Sequence, residues 1–240
     1  MSLNAGGWHI SQQEREFMST AAHLRQHNSM LAAAEKRALI WMASRLPRWI
    51  HSDHLSALGL LSMAGAGLSF WLAASHPIAG ATLVTLCLLL NWFGDSLDGT
   101  VARVRDQQRP RYGYYVDHVI DLAGTAMLFA GLAASGYMTP GVAVLVVAAY
   151  YLVSAETFLA THSRGVFKMA FLGVGPTELR VLLAAGAIAL VKTPMVAPFG
   201  IVPVRLWDLG GVIGAAGMIA AFIAASWNNG KALYAEETRW

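Results

Sequence analysis

Residues 95–121 read DSLDGTVARVRDQQRPRYGYYVDHVID, and this stretch decides the fold. Apolar runs over 78–100 and 114–135 lead into it and out of it. Each is long enough for a transmembrane helix, which takes about 20 residues. The connection is short and basic, with Arg103, Arg105, Arg109 and Arg111. Two membrane helices joined this way are antiparallel neighbours. Asp95 and Asp98 end the first, three residues apart, and Asp117 and Asp121 begin the second, four apart. Those spacings put each pair on one helical face. All four carboxylates therefore meet at one end of a helical bundle.

The rest of the chain fits a membrane protein. Of 240 residues, 56% are hydrophobic and 13% charged, against a charged share of about 25% in soluble domains. That shortage excludes a water-soluble globule, intrinsic disorder and a coiled coil. Cys87 is the only cysteine, which rules out an intrachain disulfide. Further apolar runs cover 55–75, 139–160, 177–192 and 207–227, which makes six spans with the two above. Gly, Ala and Ser recur through them, as close helix packing in lipid requires. Ahead of them, Glu14 to Ile50 reads as helix with a break near Asn28. Leu39, Trp41, Met42, Leu46 and Trp49 alternate there with Lys36, Arg37, Arg45 and Arg48. That pattern suits a helix lying in the membrane interface; the alternative is a solvated helix packed on a partner. The expected class is an all-α integral membrane protein with an interfacial segment (1–50), a six-helix domain (51–230) and a tail (231–240).

The basic residues orient this map. With six spans, fifteen of the 17 fall on one side, and only Lys192 and Arg205 on the other. The positive-inside rule puts that side, both termini and the aspartates in the cytoplasm.

Carboxylates are costly in membrane helices and mark function. Four together repel one another unless cations neutralise them. An all-oxygen set favours Mg²⁺ or Mn²⁺, with Ca²⁺ also possible, over zinc. His118 is a weaker candidate ligand, since it points to a different face from its aspartate neighbours. The competing reading pairs the aspartates with Arg103, Arg105, Arg109 and Arg111 as plain boundary residues. Gly99 lets a bulky group approach the backbone, Ala102 is small one turn on, and Arg103 suits phosphate. Gly113 opens the next helix one turn before Asp117. Together these describe a site for metal and pyrophosphate.

The pattern Asp95-x-x-Asp98-Gly99-x-x-Ala102-Arg103, nine residues, Gly113-x-x-x-Asp117-x-x-x-Asp121 resembles the signature of the CDP-alcohol phosphotransferases, membrane enzymes of phospholipid synthesis. All eight fixed positions match. The resemblance implies transfer of a substituted phosphate from a CDP-linked alcohol to a hydroxyl, with release of CMP. It implies that Asp95, Asp98 and Asp117 hold two divalent metals, with Asp121 completing the second and serving as general base. Gly99, Ala102, Arg103 and Gly113 would line the CDP pocket. Apart from the resemblance, Arg109 reads either as an added phosphate contact or as a cation for lipid headgroups. The family's Pro-Asn-x-x-Thr element is replaced by Ser52-Asp53-His54-Leu55-Ser56, so the nucleotide roles of Asp53 and Ser56 are a departure from the pattern. The resemblance also implies a homodimer, and no nucleic acid is an expected partner.

Donor and acceptor stay open. The donor is either CDP-diacylglycerol, with a small polar alcohol as acceptor, or a CDP-choline- or CDP-ethanolamine-like molecule, with a lipid hydroxyl. Glu156 and Glu178 would balance a cationic headgroup, with aromatic faces from Tyr112, Tyr114, Tyr115, Tyr150 and Tyr151; the tyrosines read equally as an interfacial belt. Arg164, Lys168 and Arg180 would bind a phosphorylated acceptor. A competing class is a divalent-cation transporter or channel using the aspartates, which leaves Gly99, Ala102, Arg103 and Gly113 unexplained.

Overall fold

The computed structural model describes residues 30–165, 176–200 and 202–238, and they are mostly helical. Helix α1 spans Met30–Arg45, α2 Ser52–Ala73, α3 Pro77–Val104, α4 Pro110–Ala134, α5 Pro140–Arg164, α6 Pro176–Leu190 and α7 Leu206–Glu237. A short antiparallel hairpin, Met195–Val196 with Val204–Arg205, separates α6 from α7. Among the described residues, α2, α3, α4, α5 and α7 are long and apolar enough to cross a membrane. Exposed Leu61, Leu68 and Trp71 of α2 and Ile78 and Leu89 of α3 give those two helices outward faces suited to lipid.

The expected sixth span is α6. It has 15 residues, or about 22 Å of rise, short of an apolar core of about 30 Å. It follows directly on residues 166–175, which lie outside the described set, as do Lys168 and residues 1–29. The N-terminal helix does not reach Ile50 as the sequence reading had it. It stops at Arg45, because Pro47 supplies no amide hydrogen and disfavours helical backbone in the residue before it.

Prolines also start helices. Pro77, Pro110 and Pro140 open α3, α4 and α5, where a missing amide hydrogen costs nothing. Pro110 moves the start of α4 ahead of the expected residue 114, so Gly113 lies inside its first turn. At the other end α3 runs on to Val104 rather than stopping at 100. The motif thus sits on two helices joined only by residues 105–109. At the far end of the chain, α7 crosses the expected 230/231 boundary without a break.

Lipid supplies little hydrophobic drive between helices, so close backbone contact carries the packing. Helix α2 packs chiefly on α3 and α4, α6 rests on α3, and α5 pairs with α7. At the α2–α4 crossing a Cβ on Gly131 would stand 2.0 Å from the Gly67 carbonyl oxygen. At the α2–α3 crossing a Cβ on Gly94 would stand 2.6 Å from the Leu55 oxygen. Only glycine permits either approach. A core of Phe70, Val84, Leu88, Leu128, Leu132 and Trp207 fills the centre, with Phe70 edge-on to Trp207 at 5.1 Å. Helix α1 sits on the last part of α3 through Leu39, Met42, Ala43 and Leu46, against Phe93, Leu97 and Val101.

Candidate active site

The Gly94 contact draws the first turns of α2 against the end of α3, one residue before Asp95. There the Ser56 hydroxyl donates to Asp98 Oδ2 at 2.7 Å. Asn91, only 5% exposed, lies one turn before Asp95. Its amide donates to the Gly59 carbonyl at 3.0 Å, which ties α3 to α2 again. Its side-chain oxygen accepts from Arg180 Nε at 2.7 Å, and Arg180 Nη2 reaches Asp95 Oδ2 at 2.8 Å. So α6 sends one guanidinium into the site. A fork with two fixed donor edges is what lets Arg180 bridge an amide and a carboxylate at once.

Asp95, Asp98, Asp117 and Asp121 line a single small cavity, together with Ser56, Gly59, Asn91 and Ile120. The helical spacing that brought them together on paper brings them together in space. Their donor set is all oxygen, and it fits hard divalent cations. As the side chains stand, no three His, Cys, Asp or Glu groups among the described residues converge tightly enough to enclose an ion. Positive charge reaches the cavity from Arg180 instead, in the ion pair with Asp95.

The second cation expected here is arranged differently. The Arg103 guanidinium stands 3.5 Å from where a Cβ on Gly99 would be, and donates to the Thr100 hydroxyl at 3.1 Å. It therefore covers the small-residue patch beside Asp98. Gly113 has open space where a side chain would project. Outside the aspartate cavity lies a cleft of about 390 Å³ lined by His51, Ser52, Asp53, Val101, Ala102, Gln107, Gln108 and Arg109. Arg109 pairs with Asp53 across it and lies over the Tyr112 ring at 4.4 Å. Hydrogen bonding to Asp53 raises the Arg109 guanidinium pKa above its ordinary value. Asp53 and Ser56, two positions of the departed element, thus fall in different places. Asp53 faces the cleft, and Ser56 serves Asp98.

Pairing of the aspartates with the loop arginines does not describe two of those arginines. Arg109 is held by Asp53, and Arg105 donates to backbone carbonyls. His118 does not line the aspartate cavity. Its ring is buried against Tyr114 and Phe158, with Nδ1 2.6 Å from the Tyr114 carbonyl oxygen.

The expected acceptor residues divide. Arg180 joins the aspartate cavity. Glu178, two positions earlier and so on the opposite face of α6, is exposed. Glu156 is 8% exposed and accepts from Asn229 of α7 at 2.6 Å. Arg164 donates to the same asparagine at 2.5 Å and stands 4.0 Å from Glu236. Glu156 and Arg164 thus join α5 to α7, apart from the aspartates. The residue that sequence reasoning missed is Asn91. Its signal was a lone amide in an apolar run, one helical turn before Asp95.

Comparison with known proteins was made against this geometry. A family model described as CDP-alcohol phosphatidyltransferase matches residues 53–227. No curated protein sequence matches. Among solved structures, the Mycobacterium tuberculosis phosphatidylinositol phosphate synthase, crystallised with CDP-DAG bound, superposes with a TM-score of 0.60. The match covers 80% of this chain and 94% of that one at 18% identity, a likeness of fold.

Proposed function

Since the chain belongs to the CDP-alcohol phosphatidyltransferase family and is a transferase, we propose that it moves a substituted phosphate from a CDP-linked alcohol to an acceptor hydroxyl. The observation that carries this reading is the convergence of Asp95, Asp98, Asp117 and Asp121 on one cavity. Family membership also displaces the alternative of a divalent-cation channel.

Asp95, Asp98, Asp117 and Asp121 would hold two divalent ions, which when bound neutralise pyrophosphate charge and stabilise the leaving CMP. The remaining steps belong to the protein. The nucleoside end enters the cleft beside Ala102, where Asp53 and Arg109 stand. Arg103, over Gly99, offers its guanidinium to phosphate oxygens. Ser56 orients Asp98, and Asn91 with Arg180 orients Asp95. The acceptor oxygen attacks the phosphorus that carries the alcohol, its proton passes to Asp121, and the bond to CMP breaks. An alcohol is a weak nucleophile at neutral pH, which is why a placed carboxylate matters. The excess of basic residues supports a cytoplasmic site with both termini on that side, and α6 as the sixth span. The charged face of α1 supports an interfacial position for that helix.

The test is CMP release by purified protein in detergent with Mg²⁺ or Mn²⁺. CDP-diacylglycerol, CDP-choline and CDP-ethanolamine are each paired with polar alcohols or diacylglycerol. One pair is expected to release CMP and so to assign the donor. Asp121→Asn is expected to lower kcat by about 10²-fold or more. CMP release from no pair, or full turnover in Asp121→Asn, rejects the reading.

A further inference from the structure

Arg105 is one residue past the end of α3, on the turn that joins the two motif helices. Its guanidinium is spent on backbone. Nη1 donates to the Ile50 carbonyl at 2.5 Å and lies 3.5 Å from that of Arg48. Nη2 donates to the Leu46 carbonyl at 2.9 Å and to that of Pro47 at 3.1 Å. These carbonyls belong to the link between α1 and α2. They follow a helix end, where carbonyls lack partners within the helix. One side chain just past α3 therefore holds four carbonyls of the link.

The consequence reaches the cleft. Its wall on one side is His51, Ser52 and Asp53, which follow directly on the link. Its other wall is Val101, Ala102, Gln107, Gln108 and Arg109, which flank Arg105 in sequence. Arg105 thus ties the two walls together, as the Asp53–Arg109 pair also does. Both ties are charge-assisted, and such bonds are the stronger class. Ser56, which serves Asp98, is carried one turn further along the same helix start.

We propose that Arg105 is a positioning residue that sets the width of this cleft, and through it the affinity for the cytidine-diphosphate end of the donor. The inference rests on the nucleotide reading given above. Arg105 touches no reacting group, so its loss acts on donor binding far more than on turnover. Lysine reaches the same place with a single point of charge and lacks the planar fork, so it recovers only part of the effect.

The experiment measures binding of CDP with Mg²⁺ by titration calorimetry, and KM and kcat for CMP release, in the full chain in detergent. Arg105→Ala is expected to weaken CDP binding and raise the donor KM by about tenfold, with kcat within about twofold. Arg105→Lys is expected to fall between that variant and the parent. Leu39→Ala, which loosens the α1 seat but leaves the link residues unchanged, serves as a stability control, expected to lower the melting temperature without moving the donor KM. If Arg105→Ala does not fold, Arg105→Lys decides alone by the ratio of its KM to that of the parent. Unchanged CDP affinity and KM in the folded Arg105 variants overturn the inference, as does a fall confined to kcat. A parent protein that neither binds CDP nor releases CMP overturns the nucleotide reading itself, a different result.

Discussion

At the scale of single residues, each aspartate is only as useful as what holds it. Ser56 holds the Asp98 carboxylate directly with its hydroxyl, whereas Asn91 acts on Asp95 only through the Arg180 guanidinium. Partners of this kind set metal affinity about as strongly as ligands do. Ser56→Ala is therefore expected to raise the Mg²⁺ concentration for half-maximal CMP release by about tenfold, with activity restored at saturating Mg²⁺. An unchanged Mg²⁺ curve would refute this. The motif aspartates could be read from the sequence because period and spacing are local properties. Asn91 and Arg180 could be read only in part. An amide in an apolar run is visible, but its partner is 89 residues away, and no local pattern links the two. Arg180 is expected at the acceptor, and the structure places its guanidinium on Asp95, a contact that no local pattern in the sequence shows.

At the scale of helices, the glycine contacts govern. Gly67 and Gly131 bring α2 and α4 to backbone contact, and Gly94 does the same for α2 and α3. Gly131→Leu is expected to destabilise the protein by about 1–3 kcal/mol, visible as a lower melting temperature in detergent. Gly141→Leu, at a site where a side chain meets open space, is expected to leave it unchanged. Equal melting for the two variants would contradict the role given to the crossing. Helix ends were legible where proline marked them and misplaced where it was undervalued. Pro47 ends α1 sooner, and Pro110 starts α4 sooner, than hydropathy alone suggests. The short apolar run expected over 177–192 is helical in α6 almost to its end, so its shortness was legible in the sequence.

For the whole molecule, charge distribution predicts sidedness. The lone thiol, Cys87, makes this measurable. In a Cys87→Ser background, Gln107→Cys in the motif turn is expected to resist an impermeant thiol reagent in intact cells and to label after lysis. Thr193→Cys, beside the hairpin between α6 and α7, is expected to label in intact cells. The reverse pattern would invert the assignment. The broad class, the motif and its cavity could be foreseen because they depend on composition and short spacing. The tie between α5 and α7 through Glu156, Asn229 and Arg164 could not, since it joins positions up to 73 residues apart. That tie has a consequence for how such a chain can change. The four aspartates and Ser56 are all carried by α2, α3 and α4, while the Glu156–Asn229–Arg164 tie belongs to α5 and α7. Arg180 of α6 reaches Asp95 from the later half. Exchanges in the α5–α7 tie therefore fall on side chains that do not line the aspartate cavity, whereas an exchange at Arg180 falls on Asp95 itself.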